Sequence, residues 1–186
     1  MGETFIGAYF AHFKEVAFDT SIEPLLLEAA ELLKAVHGRR NKVIFAGNGA
    51  SATIASHCAL DFTKQAGIRS VCFNEAAILT AYGNDYGYEW WVARAMEHYA
   101  DDGDLAFLIS SSGKSANVLR AAEYANDHGL SLITLSGFAP DNPLRALGQI
   151  NLWCNSRSYN TVETAHMLWL VALCDLIIGK REYGVV

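Results

Sequence analysis

Five short, mainly apolar runs constrain the fold of this chain more than any other feature of its sequence. They lie at residues 42–46, 70–73, 104–109, 131–136 and 149–154. Strands that a parallel sheet buries on both faces are apolar almost throughout, whereas half-exposed strands alternate apolar with polar residues. Stretches with helical spacing separate the runs. This alternation predicts a three-layer α/β fold, in which helices cover both faces of a five-stranded parallel sheet.

The helical stretches fall into an N-terminal pair and a set that alternates with the strands. Helices are predicted at residues 4–18, 23–37, 51–65, 75–82, 88–99, 115–128 and 160–178, with an irregular segment at 140–143. The first two helices precede the first strand, so residues 1–38 are interpreted as a helical arm and residues 39–186 as the α/β core. No repeat or low-complexity linker interrupts residues 1–186, which predicts a single domain.

Composition excludes several functional classes. The chain of 186 residues is 52% apolar and 18% charged, far too apolar for intrinsic disorder. Its 14 Lys and Arg residues against 20 Asp and Glu residues give a formal net charge of −6. Since the sequence has no basic block either, a direct nucleic-acid partner is not expected.

Membrane insertion and secretion are not expected either. The longest uninterrupted apolar run, Met167–Cys174, is far shorter than the roughly 20 residues of a membrane-spanning helix. Met1–Phe18 is amphipathic and lacks the basic and apolar regions of a signal peptide. The four cysteines show no CxxC spacing, so we expect buried, reduced thiols in a cytoplasmic protein.

A glycine loop follows the first predicted strand. In Gly47-Asn48-Gly49-Ala50-Ser51 the glycines allow a tight turn and a close approach of the backbone to a ligand. Ligands of open parallel sheets bind at the C-terminal ends of strands, where this loop lies. The loop matches neither GxGxxG nor GxxxxGK[ST], so no nucleotide cofactor is expected. A purely structural turn explains the loop as well as a ligand site does.

A serine loop follows the third predicted strand and is more specific. Residues 110–117 read Ser-Ser-Ser-Gly-Lys-Ser-Ala-Asn and place four hydroxyls between a buried strand and a helix. Free N–H groups and the helix dipole favour negative charge at a helix N-terminus. Capping a helix needs one hydroxyl, so four around a glycine favour phosphate binding over capping. Residues 138–143 and Tyr159 are expected to shape the same pocket.

Two pairs of titratable residues lie at helical spacing. His57 and Asp61 are four residues apart in one predicted helix, and Glu163 and His166 are three apart in the last one, so each pair shares a helix face. Two imidazoles and two carboxylates form a donor set of the kind that binds zinc. From the spacing alone, a buried core histidine or a solvated helix face remains the favoured explanation of each pair.

Three segments together resemble the sugar isomerase (SIS) domain and, within that family, the phosphoheptose isomerases. They are Gly47–Ser51, Gly83–Gly87 (Gly-Asn-Asp-Tyr-Gly) and Ile109–Ser115, and the similarity extends from around Ile22 to Ile178. Phosphoheptose isomerases interconvert sedoheptulose 7-phosphate and D-glycero-D-manno-heptose 7-phosphate. The resemblance therefore implies a flavodoxin-like sheet, an aldose–ketose isomerase, and a homotetramer with active sites between subunits.

The resemblance also implies roles for individual residues. The phosphate would bind Ser110, Ser111, Ser112 and Ser115, and the sugar would lie near Asn48, Gly49, Ser51 and Asp85. His57 would be a zinc ligand, Asp61 a zinc ligand and an acid/base group, and Glu163 a contact of both metal and substrate. His166 matches a common family histidine in the last helix and is a further catalytic candidate.

Two positions depart from the family pattern. Val171 stands where the resemblance places a second catalytic histidine, and Asp61 where it places the longer glutamate. Isomerisation through an enediol needs one group as a base and another as an acid. Since valine can be neither, His57, Asp61, Glu163 or His166 must cover that role in an isomerase. The alternative is a non-catalytic phosphosugar-binding tetramer that acts through a protein partner, as the family's replication-initiation regulator does.

The apolar excess favours an oligomer. The last predicted helix is apolar nearly all round, and the arm carries an apolar stripe at Phe5, Tyr9, Phe13 and Val16. A single small sheet has too little surface to cover both. We therefore expect the arm to take part in oligomerisation, in agreement with the tetramer that the resemblance implies.

Overall fold

The computed structural model describes residues 4–182, and within that range helices alternate with strands. The helices are α1 (Phe5–Ala17), α2 (Glu23–Gly38), α3 (Ala50–Lys64), α4 (Ala76–Tyr86), α5 (Trp91–Tyr99), α6 (Ala116–Asp127), α7 (Pro143–Leu147) and α8 (Tyr159–Ile178). The strands are β1 (Val43–Gly47), β2 (Ser70–Cys72), β3 (Leu105–Ser110), β4 (Ser131–Ser136) and β5 (Ile150–Trp153). A short 3₁₀ helix, Thr20–Ile22, links α1 to α2. Residues 1–3 and 183–186, which the predicted domain includes, lie outside the described residues.

The five strands form one sheet in the order β2-β1-β3-β4-β5, and every neighbouring pair is parallel. The predicted five-stranded parallel α/β fold is thus confirmed. The chain passes from β1 to β2 on one side and then crosses to β3 on the other side of β1. Ligands of such sheets bind where the strand order reverses, beyond the C-terminal strand ends. Gly47 of β1 lies opposite Ile109 of β3, so the glycine loop and the serine loop emerge side by side there.

The sheet separates two apolar cores, one on each face. On one face Phe45 stacks on Phe107, with ring centroids 5.0 Å apart, and contacts Phe62 of α3. On the other face Ile44 belongs to a second cluster, which contains Trp91 of α5. Helices therefore cover both faces of the central strands, which is the physical reason that these strands are mainly apolar, whereas Val71 of the edge strand β2 is 37% exposed.

The N-terminal arm lies against α8, and much of its apolar surface is uncovered. The indole Nε1 of Trp169 donates a 2.8 Å hydrogen bond to the carbonyl oxygen of Ala17 and fastens the end of α1. The buried residues of α1 are Val16 and Ala17, whereas Phe5 and Phe10 are 79% and 63% exposed. In a single copy of the chain, the arm thus presents aromatic rings to solvent.

Two helices differ from the prediction. Helix α4 continues through Gly83 to Tyr86 instead of ending at residue 82, and Gly87, with φ of 88°, terminates it. Most of the Gly83–Gly87 segment is therefore helical. Helix α7 begins where an irregular segment was expected to end. Asn142 caps it by accepting a hydrogen bond from the backbone N–H of Arg145, and Pro143 occupies its first turn.

Helix α8 is long and apolar enough to cross a bilayer by length and composition alone. Its buried residues include His166, Trp169 and Leu173, and they belong to a helix that lies between the sheet and the N-terminal arm. Burial against α1, α2 and α3 explains its apolar character as that of a core helix.

Candidate functional site

The glycine loop turns tightly between β1 and α3. A Cβ atom on Gly47 would lie 2.8 Å from the backbone of Ser51, so glycine alone fits there. Gly49 has φ of 56° and lies at the start of α3, where side-chain-bearing residues are strained. The amide of Asn74 holds the loop from behind, since it accepts from the N–H of Gly47 and donates to its carbonyl oxygen.

Asn48 connects the glycine loop to the start of α6. Its side chain exchanges two hydrogen bonds, of 2.8 and 2.9 Å, with the side chain of Asn117, and it accepts a third, of 3.0 Å, from the hydroxyl of Tyr88. Asn117 is buried and was not among the predicted site residues. Its position directly after the serine loop was the only sequence signal for it. The pairing holds the two loops at a set distance.

The serine loop keeps its hydroxyls away from helix capping. Ser115 precedes α6, but its side chain makes no capping hydrogen bond and instead lies 2.9 Å from the hydroxyl of Ser110. The hydroxyl of Ser112 accepts from the backbone N–H of Lys114 at 3.2 Å. Among the described residues, the buried hydroxyl of Ser111 has no hydrogen-bond partner. This arrangement favours the phosphate interpretation of the loop over the capping one.

The two loops line one pocket of about 260 Å³ at the C-terminal edge of the sheet. The predicted binding residues that the structure brings together there are Asn48, Gly49, Ser51, Ser110, Ser111, Ser112 and Ser115. Two residues of α8, Tyr159 and Glu163, complete the lining. The backbone N–H groups at the start of α6 and the helix dipole favour an anion at this end of the pocket.

Glu163 is the carboxylate of this pocket. It is half-buried, and this burial raises the pKa of its carboxyl group above the usual range. A raised pKa brings a carboxyl group closer to the pH at which it both takes and returns a proton. One turn earlier, the ring of Tyr159 contacts the ring of Phe138 edge-on, with centroids 4.8 Å apart. Phe138 therefore packs against a lining residue of the pocket without lining the pocket itself.

Asp85 lies apart from the other predicted sugar-binding residues. It is exposed in the last turn of α4, where its carboxylate accepts a 2.9 Å hydrogen bond from the side-chain amide of Asn84. It is absent from the pocket lining that the described part of the chain forms. Its contact with a sugar stays a prediction.

His57 and Asp61 pair with each other, two turns along α3 from the pocket. The Nε2 atom of His57 lies 3.0 Å from a carboxylate oxygen of Asp61, and Gln65 donates a 2.8 Å hydrogen bond to the other oxygen. The side chain of His57 is 44% exposed. Within residues 4–182, no three His, Cys, Asp or Glu side chains are grouped closely enough to hold a metal ion. The predicted zinc ligands His57, Asp61 and Glu163 are therefore not assembled in one copy.

His166 lies inside the core instead of in the pocket. Its side chain is completely buried, and Nε2 donates a 3.0 Å hydrogen bond to the carbonyl oxygen of Ser136 at the end of β4. Burial lowers the pKa of His166 to about 4, outweighing the hydrogen bond to Ser136, which favours the charged form. A neutral imidazole thus ties α8 to the sheet. His166 does not line the pocket, so this structure gives no support to its predicted catalytic role.

Comparison with known proteins places this architecture in context. Residues 8–137 match the SIS domain family. The phosphoheptose isomerase of Helicobacter hepaticus is 35% identical over 173 residues, which cover 90% of this chain and 88% of that protein. The phosphoheptose isomerase of Aliarcobacter butzleri is 32% identical over 191 aligned positions, covering 98% of this chain and 100% of that protein.

Two solved structures of phosphoheptose isomerases have a fold similar to that of this chain. A phosphoheptose isomerase from Francisella tularensis superimposes with a TM-score of 0.86 at 27% identity, covering 94% of this chain and 97% of that one. A phosphoheptose isomerase from Neisseria gonorrhoeae gives 0.84 at 28% identity, with 92% and 96% covered. The similarity therefore includes the sheet, the flanking helices and both loops.

Proposed function

Because this chain belongs to the SIS domain family and resembles phosphoheptose isomerases over nearly its whole length, we propose that it is a phosphosugar isomerase of the phosphoheptose isomerase type. It interconverts the ketose and aldose forms of a sugar phosphate such as sedoheptulose 7-phosphate. The observation that carries this proposal is the pocket itself. The four hydroxyls of the serine loop and the N-terminus of α6 meet the half-buried carboxyl group of Glu163 there.

The phosphate group would bind at the serine loop. The backbone N–H groups that begin α6 donate to anionic oxygens, and the hydroxyls of residues 110–112 and 115 provide further donors. The unpartnered hydroxyl of Ser111 is one such donor already in place. Holding the phosphate there would bring the carbonyl end of the sugar toward α8.

Glu163 is the residue that we assign to proton transfer. Aldose–ketose isomerisation moves a proton between neighbouring carbons through an enediol, and a carboxylate is suited to carry it. Glu163 lines the phosphate pocket, whereas His57 and Asp61 pair with each other outside that lining. Val171 is partly buried and has no proton to transfer. The loss of the family histidine is thus compatible with an enzyme, provided that Glu163 is the base.

A non-catalytic regulator is the second candidate, and Val171 is the observation that favours it. The relatives argue against it, since they are isomerases that align with almost the entire chain. The isomerase and the regulator differ in whether they convert the phosphosugar that they bind. A regulator is stabilised by a phosphosugar without converting it, and Val171→His would then create activity from an inactive background.

The test is incubation with sedoheptulose 7-phosphate, followed by NMR of the anomeric protons. We expect a new aldose signal with the natural protein, and its loss in Glu163→Gln, which keeps the size of the side chain but removes the carboxylate. Ser112→Ala should raise KM through weaker phosphate binding, with Ser131→Ala on β4 as the matched control. The absence of aldose signals from a panel of ketose phosphates would rule out the enzyme.

We also propose that the protein binds zinc, although the described part of one copy does not bring a complete set of zinc ligands together. Because His57 and Asp61 pair with each other and no metal-binding group is assembled in residues 4–182, we assign no step of the reaction to a metal. A zinc site built on His57, Asp61 and Glu163 would have to draw these donors from more than one copy of the chain. Elemental analysis of the purified oligomer tests this: about one zinc per chain is expected, lost in Asp61→Asn. A zinc-free protein with full activity would contradict it.

A cytoplasmic homotetramer is the assembly and location that we propose. The exposed apolar face of the arm supports association between copies of the chain. Four free cysteines, three of them buried, support a reducing compartment.

A further inference from the structure

Only two titratable side chains line the phosphate pocket in the described part of the chain, and they are Tyr159 and Glu163. The rest of the lining consists of serines, glycine, asparagine and apolar residues. His57, Asp61 and His166 all lie elsewhere, in a pair on α3 or inside the core. Within residues 4–182, the titratable side chains placed to exchange a proton with a sugar in this pocket are therefore these two residues of α8.

The two side chains share one helix face. They are four residues apart in α8, a spacing that brings their Cβ atoms to roughly 5–6 Å from one another. A pair at that separation can reach neighbouring atoms of one small ligand. Both line the same pocket as the serine loop.

The ring of Tyr159 is held by its surroundings, while its hydroxyl stays free. Phe138 packs edge-on against it with an interplanar angle of 71°. Phe138 itself adopts φ of 60°, unusual for a bulky residue, and its N–H donates a 2.9 Å hydrogen bond to the carbonyl oxygen of Ser156. Strained backbone of this kind persists where the surroundings enforce it, often beside a functional site. Tyr159 is 57% exposed, and no hydrogen bond to its hydroxyl is formed within residues 4–182.

We propose that Tyr159 is a catalytic residue, which donates its phenolic proton to the carbonyl oxygen of the sugar while Glu163 removes the proton from the neighbouring carbon. This inference rests on the proposed isomerase function. It assigns to Tyr159 the acid role for which Val171 is unsuited. A phenolic hydroxyl carries an O–H donor and can stabilise an oxygen that gains negative charge in the transition state.

The proton transfers balance without any further reactant. Starting from the aldose, Glu163 takes the proton from C2, the C1–C2 double bond forms, and the electrons of the carbonyl bond move to O1. Tyr159 gives its proton to O1, which completes the enediol. The phenolate of Tyr159 then takes the proton from the hydroxyl on C2, the C2 carbonyl forms, and Glu163 returns its proton to C1. Both residues end in their starting states.

The experiment compares Tyr159→Phe with Tyr99→Phe in the full-length protein. Both tyrosines contact a phenylalanine ring, and they are exposed to a similar degree, 57% and 49%. Each substitution removes only a hydroxyl. We expect kcat for sedoheptulose 7-phosphate to fall about 100-fold or more in Tyr159→Phe, with KM and inhibition by inorganic phosphate nearly unchanged. Tyr99→Phe should match the natural protein.

Two further measurements separate the possible outcomes. The thermal unfolding midpoint shows whether Tyr159→Phe is folded, and uptake of deuterium from D₂O into the substrate reports enediol formation, which should fall with kcat. An active natural protein whose Tyr159→Phe variant keeps its kcat would overturn the role of Tyr159 and leave the isomerase standing. A natural protein that neither converts a panel of ketose phosphates nor exchanges their protons would overturn both.

Discussion

The two histidines that the sequence places beside carboxylates meet opposite environments. His57 is partly exposed and forms an ion pair with Asp61 when protonated, whereas His166 is sealed in the core with one ring nitrogen on the Ser136 carbonyl. The second nitrogen of His166, Nδ1, is buried without a partner in the described part of the chain. Adding a proton there would place an unpaired charge in an apolar core, which costs several kcal/mol.

Acid sensitivity is the prediction that follows from His166. Its pKa is lowered from 6.5 to about 4 in the folded chain, so between these pH values the unfolded chain binds a proton that the folded chain does not. The stability due to neutral His166 is fully present above pH 6.5 and is lost as the pH falls toward 4. The loss is about 3 kcal/mol. Urea unfolding from pH 7.5 to 4.5 should show a shallower decline in His166→Gln, which keeps a donor for Ser136. Equal slopes would contradict this account.

At the scale of elements, the serine loop depends on the short helix α7. The side-chain amide of Asn142 donates to the carbonyl oxygens of Gly137 and Ala139, while its oxygen caps α7. Gly113 of the serine loop lies against that same side chain, since a Cβ atom there would come within 2.0 Å of the Asn142 oxygen. The loop after β3 and the loop after β4 therefore support each other.

Two glycine substitutions separate backbone strain from this contact. Gly113 has φ of 64° and Gly129 has φ of 68°, but a Cβ on Gly129 meets no atom within 4 Å. Gly129→Ala should lower the free energy of unfolding by about 1 kcal/mol, from strain alone. Gly113→Ala should cost at least about 1 kcal/mol more, because Asn142 must move. It should also weaken phosphate binding, as measured by calorimetry with inorganic phosphate. Equal effects of the two substitutions would argue against the coupling of the loops.

At the scale of the whole molecule, the N-terminal arm is the part whose apolar surface a single copy leaves largely uncovered. One end of α1 is fastened to Trp169, while its aromatic residues extend into solvent. Burying a phenylalanine side chain is worth about 1.5–3 kcal/mol, so in the proposed tetramer a second copy of the chain would stabilise this face by covering it. The proposed assembly would also account for the 52% apolar composition, because part of the apolar surface would be shared between copies.

Light scattering after gel filtration tests this role of the arm. Phe5→Ser with Phe10→Ser removes the two most exposed rings of α1 and should shift the protein from a tetramer to smaller species. Lys14→Ser, a polar change on the same helix, should leave the mass unchanged. A natural protein that elutes as a stable monomer would contradict the proposed assembly.

The sequence predicted the sheet well because its signals are local. Each strand lies in a short, mainly apolar run, and the loops after β1 and β3 carry their own glycines and serines, so both could be recognised without knowing what lies nearby. Asn117 and Asn142 lie in the predicted loops 110–117 and 138–143, but their roles in holding these loops were not predicted. Asn117 is 69 residues from Asn48 in the sequence, and no local pattern around either residue predicts their hydrogen bonds. The end of α4 was misplaced because a glycine inside a helix and a glycine that ends one look alike in sequence.

By itself, the sequence determined the parallel α/β architecture and the two loops at the strand ends, and it predicted phosphate-binding residues there, since these follow from hydrophobic periodicity and from local backbone chemistry. The tertiary structure decided which titratable groups share a pocket. It buried His166, paired His57 with Asp61 and brought Glu163 and Tyr159 to the serine loop. The physical reason is that burial and charge interactions depend on distances between elements far apart in the chain, and those distances are set only when the helices pack on the sheet.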